Sequence, residues 1–190
     1  MEWVLLILVL LVVVVGYGWY VVLIRNRNRA QEALSSVDVH LRKRHDLVPN
    51  VLALARRFME HEKELLESVT ALRSKAQAPY DKGDPEQVKG HLDAERGLQG
   101  ALRQLFAVSE SYPELRSAET MLEAQKTYRE VESNIAAARR FYNSAVTRLN
   151  TAVQIFPGSV IAGMAGVRPM PFFELEDESM RQPVNAADHI

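Results

Sequence analysis

The chain has 190 residues, a formal net charge of −1 at pH 7 and no cysteine. Acidic and basic residues are interleaved along the part after Ile24, so nothing resembles a one-sided basic face and a nucleic-acid partner is not expected. Without cysteine there are no disulfides, thiolate nucleophiles or thiolate metal sites, and packing alone must hold the fold.

The first element is an uncharged run from Trp3 to Ile24, mostly Leu, Val and Ile. As a helix rising ~1.5 Å per residue, it crosses a ~30 Å hydrocarbon layer. A cleaved signal peptide would need a positive start, a shorter apolar stretch and small residues at a cleavage site. Here the start is Met1-Glu2 and the end Val21-Val22-Leu23-Ile24, so an uncleaved anchor is expected. Trp3 at one end, and Tyr17, Trp19 and Tyr20 near the other, suit aromatic rings at headgroup level. Arg25, Arg27 and Arg29 follow directly, against only Glu2 before the span. The positive-inside rule then places the carboxy-terminal side in the cytoplasm. The reading is a single-pass inner-membrane protein whose first partner is the lipid bilayer.

From Ala30 the apolar residues keep helical step through Leu34, Val37, Leu41, Val48, Leu52, Ala55, Met59, Leu66, Val69 and Leu72. Pro49 removes one backbone donor, yet the stripe keeps its phase across it. The pattern predicts a kinked but continuous helix reaching Lys75. Pro79 to Pro85 has turn composition, and Asp84-Pro85-Glu86 reads as an N-cap, a first-turn proline and a first-turn acid. The second bundle helix carries Val88, Leu92, Leu98, Leu102, Leu105 and Phe106 and ends before Tyr112-Pro113. A third follows, with Ser117 and Thr120 as caps and steps of four and three from Met121 to Phe156. Phe156-Pro157-Gly158 stops it, and Val160 to Val167 suits a short closing helix.

The expected fold is therefore all-α, an N-terminal transmembrane helix followed by an up-down antiparallel bundle of three long helices plus a short C-terminal helix. Its parts are an anchor and basic juxtamembrane segment at 1–29, the bundle at 30–168, and a Pro-rich, acidic tail at 169–190 with too little apolar surface to fold alone.

Specific residues then show a resemblance. Arg25-Asn26, Val37-Asp38-Val39, Leu41, Arg44 and Asp46-Leu47-Val48-Pro49-Asn50 resemble the opening signature of the LemA family. Tyr112-Pro113-Glu114-Leu115-Arg116, Glu132-Ser133-Asn134-Ile135, Tyr142-Asn143, Asn150, Phe156-Pro157 and Phe173-Glu174 follow in that family's order. One departure is Arg148-Leu149-Asn150, where relatives more often carry tyrosine before the asparagine. The resemblance implies a membrane anchor, an up-down bundle, no established catalytic activity, and magnetosome-membrane proteins among the relatives.

Tests for chemistry fail on spacing. A di-iron bundle needs Glu-x-x-His pairs, and none of His40, His45, His61, His91 or His189 follows a carboxylate by three residues. His61-Glu62 starts like a zincin motif, but Leu65 stands where the second histidine belongs. No nucleophile elbow or glycine-rich phosphate loop occurs. Catalytic residues, metals and cofactors are not expected. His45 and Glu62 on the first stripe, and Gln125, Glu132 and Arg139 on the third helix, occupy positions where a simple bundle places Leu. Buried charges demand partners, so these five are read as an internal polar layer that sets helix register. The functional expectation is a non-enzymatic membrane scaffold or adaptor that self-associates or binds a membrane protein partner. A signalling or sensor domain is the alternative.

Overall fold

The computed structural model describes residues 1–174. Six helices account for most of them: α1 (Glu2–Phe58), α2 (Lys63–Ala76), α3 (Pro85–Ser109), α4 (Pro113–Ser117), α5 (Glu119–Gln154) and α6 (Gly158–Ala165). No strand occurs among the described residues. The anchor and the first bundle helix are one element, because nothing in Arg25–Arg29 breaks α1 and Pro49 lies inside it.

The expected continuation to Lys75 does not occur. The chain turns at Met59, whose amide donates to Ala55 O at 2.8 Å, and α2 starts at Lys63. Met59 is fully buried in this turn. Continuing straight would carry Leu66, Val69 and Ala76 beyond the bundle, whereas the reversal buries all three against α1 and α3. Tertiary packing overrides a locally unbroken helical pattern here.

Side-chain contacts fix the directions. Arg73 Nε donates to His45 O at 3.0 Å, so α2 runs back along α1. The 77–84 segment continues that descent until Lys82 Nζ reaches Ser35 Oγ at 3.0 Å. α3 then climbs again, started by Asp84, whose carboxylate accepts from the Glu86 amide at 3.2 Å, with Pro85 in the first turn. After the short α4, α5 descends along α1, packing against it more extensively than any other pair. Ser117 and Thr120 do not cap α5. Ala118 holds that position without a side-chain bond, and the Ser117 hydroxyl turns back to Pro113 O. Gly166, at φ 65°, supplies the left-handed residue that ends α6.

The core divides in two. A proximal cluster, nearer the N-terminal end of α1, gathers Leu23, Leu34, Leu41, Ile135, Tyr142 and Phe173; a distal one gathers Val48, Met59, Leu66, Leu98, Leu105 and Met121. The first part of the 169–190 stretch, which has too little apolar surface to fold alone, is held on α5. The Asn150 side chain accepts from the Met170 amide at 2.8 Å and donates to its carbonyl at 2.9 Å. Asn143 does the same for Phe173, at 2.9 and 3.1 Å. Seven helical residues span ~10.5 Å and three extended residues ~10 Å, so the two asparagines match the two peptide units. The acidic residues after Glu174 lie outside the described residues.

Candidate functional site

Between the two apolar clusters lies a buried charged layer. α1 contributes Arg44 and His45, α3 contributes Glu95 and α5 contributes Glu132. Arg44 and Glu95 are 1% and 0% exposed. Arg44 Nη1 donates to Glu95 O at 3.0 Å and lies 3.4 Å from Glu95 Oε2, while Arg44 Nε approaches Glu132 Oε1 at 2.9 Å. His45 Nε2 sits 2.7 Å from Glu95 Oε1. Gln99 Nε2 donates to the other Glu132 oxygen at 2.5 Å. One guanidinium thus ties three helices together, which its planar fork of donors suits better than an ammonium would.

Toward the N-terminal end of α1, a second polar cluster pins the 77–84 segment to that helix. Asp38 accepts from the Tyr80 hydroxyl at 2.8 Å and pairs with Lys82 Nζ at 2.6 Å, and the Tyr80 ring stacks on His91 with centroids 4.0 Å apart. Burial pulls the Asp38 carboxyl upward, but contacts from His91, Lys82 and Tyr80 outweigh it and hold the group below its ordinary value. Burial, and then the Asp38 charge, drive the Tyr80 phenol far above the ordinary range. A cavity of about 600 Å³ joins the two clusters, with Asp38, His45, Tyr80, His91 and Glu95 in its wall. In that wall Asp38 pairs with Lys82 and Glu95 with Arg44, contacts that fasten one helix or segment to another. No group of three or more metal-ligating side chains occurs among the described residues.

The LemA family model matches residues 33–186, most of the chain and both polar clusters. The chain belongs to the LemA family. Protein LemA of Metamycoplasma hominis is 25% identical over 156 residues, covering 82% of this chain and 68% of the relative. Magnetosome protein MamQ 2 of Paramagnetospirillum magneticum is 32% identical over 92 residues. Magnetosome protein MamQ of Magnetospirillum gryphiswaldense is 30% identical over 91 residues. Both matches cover 48% of this chain and 34% of the magnetosome protein. The chain therefore spans about two thirds of the LemA relative and a third of each MamQ.

Within this LemA fold, the five residues expected to share one layer separate. His45 and Glu132 are in it. Arg139 is two turns further along α5, half-buried in a cavity of about 290 Å³ with Arg103 and Glu132. Burial, with the Arg140 charge, lowers its pKa. Glu62 stands at the start of α2 and accepts from the Tyr112 hydroxyl at 3.3 Å. Gln125 is half-buried on α5 away from the layer. Glu95 and Arg44 were missed. Glu95 fills the gap between Leu92 and Leu98 on α3, the same signal that marks Glu132 on α5.

Of the anchor residues, Trp3 and Tyr20 are exposed, as are Arg25 and Arg29, while Arg27 is half-buried. Trp19 packs partly against the proximal core instead of standing free.

Proposed function

We propose that this LemA-family chain is a non-enzymatic scaffold, anchored in the inner membrane by α1 with its bundle on the cytoplasmic side. It acts by presenting helix faces to further copies of itself or to a membrane protein partner. The observation that carries this reading is the continuity of α1. Its first part is apolar and exposed from Trp3 to Val15, and without a break it becomes the central helix of the bundle. A soluble protein rarely exposes so large a contiguous apolar surface, while one span of this length matches a bilayer. Basic residues directly after the run favour the cytoplasmic orientation. The likeness to magnetosome proteins favours a role in membrane organisation.

Protease treatment of intact cells and of inverted vesicles tests the topology. The bundle is expected to survive in the first and be cut in the second, and the reverse pattern refutes the orientation. Cross-linking in mild detergent tests the mode of action. A ladder of homo-oligomers supports self-association, a defined hetero-adduct supports a membrane partner, and a chain that stays monomeric and uncross-linked in native membranes sinks the scaffold.

A further inference from the structure

α6 has no charged residue, and only Ser159 among its side chains is polar. It buries Gly158 and Ala162 toward the bundle. Val160 and Met164, four residues apart on α6, are 56% and 85% exposed, and Phe156, just before the helix, is 82% exposed. Residues four apart share a helix face, so the outward side of α6 is an apolar row where a water-facing helix places polar groups.

The height of this row relative to α1 identifies what covers it. A Cβ built on Gly158 would lie 3.3 Å from Trp19 Cε3 and 2.1 Å from Ala152 O, so α6 begins hard against Trp19. A hydrocarbon layer takes ~20 helical residues, which from Trp3 ends near Val22. Trp19 is then ~4.5 Å inside that boundary. The first turn of α6 is level with the last turns of the span. Arg25 and Arg29 lie beside Tyr20 and Ile24 on the next turns, and Arg148 shares a cavity with Arg29. Cations at that height meet anionic headgroups.

We propose that α6 together with Phe156 is a second membrane contact, an apolar foot lying in the boundary between headgroups and acyl chains beside the emerging α1, with the bilayer itself as its occupant. Short helices with an apolar face lie in this zone with that face buried ~5–10 Å. The proposal rests on reading α1 as the span.

The native sequence has no cysteine, so single labels are unambiguous. The variants Val160→Cys and Met164→Cys carry an environment-sensitive fluorophore on the full chain, reconstituted into phosphatidylcholine–phosphatidylglycerol vesicles. Leu10→Cys in the apolar run and Leu122→Cys near the distal end of α5 are measured alongside. The expected result is blue-shifted emission at 160 and 164, quenched most by nitroxides high on the acyl chain. Position 10 is then quenched most by deep nitroxides, and position 122 only by aqueous iodide. Water-like emission at 160 and 164 with a deep label at 10 overturns the foot and leaves the span standing. A label at 10 open to iodide removes the span and the foot with it. Shielding at 160 and 164 from iodide without nitroxide quenching assigns the row to a second copy and overturns the membrane contact.

Discussion

The two halves of the bundle are built differently although the same α1 and α5 run through both. In the distal half, the chain reverses at Met59 and α2 to α5 pack through Leu, Val and Met, with few polar contacts reaching the core. In the proximal half, side chains grip backbone. Asn143, Asn150 and Tyr142 hold the extended segment after α6, Asp38 holds the 77–84 segment, and Gly158 admits the close approach of α6. Apolar packing is tolerant of exchange, whereas paired polar contacts specify one arrangement. The proximal half is thus the more narrowly defined one, and the Arg44 layer separates it from the other.

The largest expected effect tests that layer. Glu95→Leu takes the fully buried carboxylate from His45 and leaves Arg44 with Glu132 alone as its counter-charge, and it destabilises the bundle by about 3–5 kcal/mol, read from the denaturant midpoint. Replacing Arg44, Glu95 and Glu132 together by Met and Leu is near neutral or stabilising. If the layer sets register, this triple variant loses a single well-dispersed spectrum while keeping its helicity.

Gly158→Ala is next, since its new methyl would meet Ala152 O at 2.1 Å. Overpacking of this kind costs about 1–3 kcal/mol. Hydrogen exchange is expected to accelerate in α6 and the end of α5 and to stay unchanged in α2; uniform acceleration refutes the separation of the halves. Asn143→Ala removes both side-chain bonds to Phe173, a loss of about 1–3 kcal/mol. It exposes residues 170–173 to limited proteolysis before any helix opens.

Asp38 gives a smaller, pH-dependent effect. Its folded pKa lies below the unfolded value of about 3.9, so the charged form is the stabilising one. That contribution is complete above the unfolded value and drains away as pH falls through the folded one. Asp38→Asn is expected to flatten the acid limb of stability and, because the group is partly exposed, to cost less than about 1 kcal/mol at pH 7. The smallest effect is at Arg139. Outside the layer and half-exposed, its replacement by Leu shifts stability within about 0.5 kcal/mol, as for ordinary surface positions. A loss comparable to that of Glu95→Leu would return Arg139 to the layer.

What the sequence revealed about this fold follows how local each determinant is. Asp84-Pro85-Glu86 acts on its own next turn, so the start of α3 was legible. The reversal at Met59 was not, because Phe58 to Glu62 contains no Gly or Pro and the turn exists only because α3 waits to receive α2. Gaps in an apolar stripe located His45 and Glu132, and the same test on α3 would have found Glu95. Arg44 shares its gap with His45, and the pattern alone does not say which of two neighbours points inward. The docking of residues 170 and 173 was hidden for another reason. Asn143 and Asn150 look like solvent-facing polar residues until an extended partner of matching length is laid beside them.

The unbroken α1 turns the molecule into a lever. With the proposed span ending at Ile24, the rest of α1 to Phe58 extends ~50 Å beyond the lipid, so its far turn would magnify any change in the inclination of the span. Bilayers that thin or thicken retilt their helices, and a rotation of ~10° would sweep the Met59 end sideways by ~9 Å. Under the proposed anchoring, an adaptor mounted at that end would thereby register the thickness of the membrane beneath it, and the proposed α6 contact would limit the swing on one side.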